Sequence, residues 1–103
     1  MSHPPRDLLS SALRVKWEVG HTGDKQALRA LAERRPGLDA ESYAQAYARA
    51  TALDEAAWRL ADAWHASKGS APISVDDLST AHTGFSTEDY ERAISNNLLW
   101  ASK

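Results

Sequence analysis

The sequence predicts an all-α protein: a small bundle of about five helices around one long central helix, over about residues 40–68. Three observations carry that reading. Nineteen alanines stand against five glycines and four prolines, and alanine is the best helix former. β-Branched residues are few and scattered, so no sheet is expected. Apolar residues from Tyr43 to Trp64 keep helical spacing without a break.

The elements follow from punctuation. Pro4-Pro5 can open a first helix, since proline is tolerated at the first helical position. Leu9, Ala12, Leu13 and Trp17 form its stripe, and Gly20-His21-Thr22-Gly23 ends it. Asp24 is the expected cap of a short second helix with Ala27, Leu28, Leu31 and Ala32 on one face, closed by Arg34-Arg35-Pro36-Gly37. The long third helix carries Tyr43, Ala46, Tyr47, Ala50, Leu53, Ala57, Leu60, Ala61 and Trp64, and Lys68-Gly69 closes it. A fourth, over about Val75 to Ala81, and a fifth, over about Thr87 to Trp100, complete a single helical domain, 1–103.

Two segments look alike. Gly37-Leu38-Asp39-Ala40-Glu41-Ser42-Tyr43 parallels Gly84-Phe85-Ser86-Thr87-Glu88-Asp89-Tyr90, 47 positions later. Both read as helix starts, with Asp39 and Ser86 as N-caps and Glu41 and Glu88 in the positive first turn. Leu38 and Phe85 then precede the cap and are expected to pack on Tyr43 and Tyr90, a hydrophobic staple. Ser74 repeats the device, with Ile73 against Leu78. A third similarity, His21-Thr22-Gly23 and His82-Thr83-Gly84, is offset by 61 instead. Tandem duplication would need one offset, so convergent capping is the expected cause. Gly23 and Gly84 are both expected at positive φ.

Composition excludes several function classes. Without cysteine there is no disulfide framework, thiolate metal site or thiol catalysis. A net charge of −2 gives no overall field for nucleic acid or anionic membrane, and no apolar run is long enough to span a bilayer. The N-terminus lacks the order of a signal peptide, which makes the cytoplasm the expected location. Alanine with eight arginines to four lysines suggests a GC-rich bacterial gene.

Chemical motifs are equally sparse. His3, His21, His65 and His82 show no metal-ligand spacing, so no metal or cofactor is expected. The acids Asp54, Glu55 and Asp62 lie near Arg49 and Arg59 as ordinary helix-surface pairs. No nucleophile elbow, phosphate loop or calcium loop is present, so an enzyme or ligand-binding bundle is the third-ranked function. The second-ranked is a nucleic-acid-associated regulator. Residues 1–35 hold seven Lys/Arg against four Asp/Glu, with Lys25, Arg29, Arg34 and Arg35 on the second helix. That helix has no asparagine and one glutamine, few side chains for reading base edges. Leu31 to Trp64, with Pro36-Gly37-Leu38-Asp39 between helices, loosely resembles the ubiquitin-binding CUE and UBA modules. It departs from them at Arg34-Arg35, where a Met-Phe pair would stand, and at Leu60-Ala61, where a dileucine would. No family assignment follows.

Aromatic content points to a protein–protein interaction module. Trp58 and Trp64 are six residues apart, hence about 120° apart around the helix, and cannot share one narrow seam. Either neighbours wrap the long helix or one tryptophan faces outward as an anchor. Ala44, Ala48, Ala52 and Ala56 form an i, i+4 row that would let another helix approach closely. Tyr47, Ala48, Ala52, Trp58 and Trp64 are therefore the expected partner-binding residues, with a homodimer through the third helix favoured.

Overall fold

In the computed structural model, residues 6–101 are described, and among them are five α-helices and no strand. The helices are α1 (Arg6–Glu18), α2 (Asp24–Arg34), α3 (Ala40–Ala66), α4 (Val75–Ala81) and α5 (Thr87–Ala101), with a single 3₁₀ turn at Gly20–Thr22. The all-α class and the long third helix are as the sequence predicts. Pro4-Pro5 and His3 lie outside the described residues, as does the side chain of Trp100. The chain separates into two compact units, dividing between Thr51 and Ala52 within α3.

The first unit has α1, α2 and the start of α3. Its core is built from Leu8, Leu9, Ala12, Leu13 and Val15 of α1, Ala27 and Leu31 of α2, and Tyr43, Ala46, Tyr47 and Ala50 of α3. Each leucine so buried stabilises the fold by about 1.5–3 kcal/mol relative to leaving it exposed. Arg35 donates to the Ser11 hydroxyl at 2.9 Å, and Arg34 pairs with Glu18 at 2.6 Å, tying the end of α2 to α1. The start of α2 differs from expectation. Gly23, at φ 119°, is the N-cap and supplies no side-chain bond, while Asp24 is the first helical residue.

The second unit takes the rest of α3 with α4 and α5. It buries Leu53, Ala57 and Ala61 of α3, Leu78 of α4, Phe85 before α5, and Tyr90, Ala93 and Ile94 of α5. Two polar side chains join them, Asp89 and Asn97. The α3 helix stops at Ala66, two residues before the expected end. Lys68 and Gly69 turn left-handed at φ 56° and 88°, and the Gly69 N–H donates to the Trp64 carbonyl at 2.7 Å. That is the bond by which a left-handed turn satisfies a helix's last carbonyls.

Both units use one connection between their second and third helices. Tyr43 Oη donates to the Arg35 carbonyl at 2.6 Å and accepts from the Leu38 N–H at 3.1 Å. Tyr90 Oη donates to the His82 carbonyl at 2.6 Å and accepts from the Phe85 N–H at 3.3 Å. Gly37 and Gly84 occupy positive φ inside these turns, at 98° and 100°. The expected caps form next to them. Asp39 Oδ1 accepts from the Ser42 N–H at 2.9 Å, and Ser86 Oγ from the Asp89 N–H at 3.1 Å. Asp89 returns a bond to the Ser86 N–H at 3.2 Å, closing a capping box. Ser74 caps α4 through the Asp77 N–H.

The hydrophobic staple holds in one unit only. Phe85 is 5% exposed and meets the Tyr90 ring edge-on at 6.0 Å, but Leu38 is 42% exposed. Phe85→Ala should therefore cost about 3–5 kcal/mol and Leu38→Ala no more than about 0.5 kcal/mol in urea unfolding. Equal losses at the two positions would contradict the unequal burial.

Asp39 gives a pH signature. The Ser42 hydroxyl and N–H both donate to its carboxylate and hold it below the usual 3.8. A carboxyl lowered in the folded state stabilises above its unfolded value, and that contribution is lost as pH falls through the folded value. Asp39→Ala should accordingly destabilise the protein at neutral pH and cost progressively less below pH 3.8. A difference between wild type and variant that stays constant into acid would refute the cap's role.

Candidate interaction surface

The five residues expected to bind a partner are not brought together as one surface. Tyr47 is 5% exposed in the first unit, with the Lys16 ammonium 5.6 Å from its ring centre. It belongs to the core, where the lysine stem and charge cover an aromatic face. Ala48 is exposed, as is Ala44 one turn before it. In the second unit Ala52 is exposed, Trp58 is 44% exposed and Trp64 is half-buried. The indole of Trp64 lies over Gly69, where a Cβ would meet it at 3.4 Å. Of the two tryptophans on α3, Trp58 is the outward one.

Trp58 stands on a defined shoulder of its helix. Ala52, Glu55, Arg59, Asp62 and Ala66 are exposed along one face of α3, and Trp58 borders that face. On its other side, Asp54 Oδ1 accepts from Asn97 Nδ2 at 2.9 Å, and His65 Nε2 meets the Leu98 carbonyl at 3.1 Å. Asp54 and Trp58 are one turn apart, and His65 lies seven residues further along. These two polar contacts pin α5 beside the tryptophan's row. Asn97 also donates to the Ala93 carbonyl at 2.8 Å, so its buried amide is satisfied twice. On α5, Leu99 is 61% exposed. The second unit thus shows a large aromatic and a leucine to solvent beside a rigid polar seam, among side chains of both charges.

Among the described residues no three His, Asp or Glu side chains stand where they could hold a metal ion. Two of the four basic side chains on which nucleic-acid binding would lean, Arg34 and Arg35, are engaged with Glu18 and Ser11. Two shallow depressions indent the first unit. One, of about 490 Å³, is lined by Val19, Thr22, Gln26, Arg29, Ala30 and Glu33. The other, of about 320 Å³, lies by Asp7, Leu8, Arg34, Arg35, Pro36 and Leu38. Both are wide open to solvent, unlike the enclosed apolar clefts that bury small ligands.

The sequence does not single out Asn97 and reads Asp54 only as a helix-surface acid, because the bond between them arises only when α5 meets α3. No helix among the described residues is long and apolar enough to cross a membrane. Comparison with known families, characterised proteins and solved structures finds no match to this chain.

Because Trp58 is 44% exposed, Trp58→Ala should cost clearly less than the about 3–5 kcal/mol of a fully buried aromatic. A loss of several kcal/mol would show that the indole is packed and withdraw it from the exposed surface.

Proposed function

We propose that the protein acts by binding another protein, and in the first instance a second copy of itself, through the exposed side of α3. The carrying observation is Trp58, 44% exposed on the part of α3 in the second unit, where the other exposed positions are alanines, Glu55, Arg59 and Asp62. Tryptophan is among the residue types that most often anchor interfaces, and small neighbours let a facing helix approach. Ala52, about 120° around α3 from Trp58, bounds the far side of the same exposed face in the second unit. Glu55, Arg59 and Asp62 would form the polar, mixed-charge rim that suits a protein partner better than phosphate or lipid. Like the interaction itself, a cytoplasmic setting in a bacterium belongs to this proposal.

Light scattering coupled to size exclusion at tens of micromolar tests it. A mass near twice the chain's own 11.3 kDa is expected, falling to 11.3 kDa in Ala48→Glu or Ala52→Glu with helix content intact. A charge placed at the crossing would be buried unpaired and would split the pair. A mass of 11.3 kDa at every concentration would overturn self-association.

A further inference from the structure

We infer that the chain is a tandem duplication of one three-helix unit, the copies being related by an interval of 47 residues. The tyrosine turns are the first ground. Arg35 and His82 end their helices with nearly the same backbone, φ −132°, ψ 70° and φ −129°, ψ 74°. Each N–H donates to the carbonyl four residues back, Leu31 at 2.9 Å and Leu78 at 2.8 Å. Each carbonyl then receives a tyrosine hydroxyl from eight residues ahead at 2.6 Å. Convergent capping accounts for Asp39 and Ser86, because a cap is a local device. It does not account for a side chain reaching back over the whole turn to the preceding helix.

The match extends beyond the turn through the short helix before it and the helix after it. It does not extend through the first helices, where buried Leu8, Ala12 and Val15 stand 47 before exposed Glu55, Arg59 and Asp62. Leu31 and Leu78 are buried before it, and after it Tyr43 and Tyr90, Ala46 and Ala93, Tyr47 and Ile94, and Ala50 and Asn97 are buried pair by pair at the same interval. Upstream, Trp17 and Trp64 are 47 apart and both half-buried, and the first helices of the two units end at Glu18 and Ala66, 48 apart. The order of helix, short connection, short helix, tyrosine turn and helix is the same in both units.

The one similarity with a different interval is not a structural one. His21 and Thr22 lie in a 3₁₀ turn, and Gly23 is an N-cap at φ 119°, ψ 157°. His82 instead ends α4, and Gly84 lies inside the tyrosine turn. The offset of 61 therefore relates non-equivalent segments and does not count against duplication.

Reciprocal exchanges within the full chain test this. In a short exchange, residues 35–43 and 82–90 trade places; in a long one, residues 31–50 and 78–97 do. Duplication expects both exchanged chains to keep their helical circular dichroism and a cooperative melt, with midpoints within about 10 °C of the parent. The long exchange is the discriminating one, since it moves core side chains as well as the turn. A short exchange that folds beside a long one that does not would show convergence of the turns alone and overturn duplication. Failure of the short exchange would overturn it too, because the turns themselves would then not be equivalent.

Discussion

A buried phenol hydroxyl, placed to serve two backbone groups at once, is the constraint on which the rest of each unit depends. The end of a helix leaves carbonyls without partners, and the next helix must start at a set distance from them. Tyr43 and Tyr90 meet both needs by donating to the last carbonyl of one helix from the first turn of the next. The hydroxyl also accepts the N–H of the residue before the N-cap, so the intervening turn is held from inside. Only a tight turn fits between those bonds, which requires positive φ at Gly37 and Gly84. Cap, glycine and tyrosine thus form one device, and the helix pair it joins can pack in one way.

How much of this was legible follows the range of the interactions. Helix starts governed by local chemistry were readable: Ser74, Asp39 and Ser86 each cap the helix expected of them. Where two local signals competed, the reading slipped. Gly23 and Asp24 can both begin a helix, and the backbone places the glycine at the cap. The tyrosine turns were seen only as starts, because in a periodic stripe a tyrosine is indistinguishable from any other core residue. The hydroxyl's partner, eight residues upstream, has no sequence signature.

The surface was legible to a lesser degree. Helical geometry alone required Trp58 and Trp64 to point in different directions, but which of them faces solvent depends on tertiary packing. Tyr47, expected on the apolar stripe and among the partner-binding residues, is buried in the first unit. Its position on the apolar stripe is compatible with either role, and Lys16, thirty-one residues away, covers its ring. The Asp54–Asn97 bond spans forty-three residues, beyond any local pattern.

The comparison between the two units separates what the architecture needs from what it does not. From the short helix of each unit onward, Leu31 and Leu78, Tyr43 and Tyr90, and Ala46 and Ala93 are shared at the common interval and buried, filling a core or closing a turn. The large exposed residues fall outside that set. The residue 47 before Trp58 is Ser11, which accepts from Arg35. Leu38 and Phe85 show the same asymmetry in reverse, an apolar side chain buried in one unit and left to solvent in the other. With 44% of its surface in water, Trp58 adds less to folding than a fully buried indole would. The exposed part of that indole, which the first unit does without, is the surface that the proposed contact with another protein would cover.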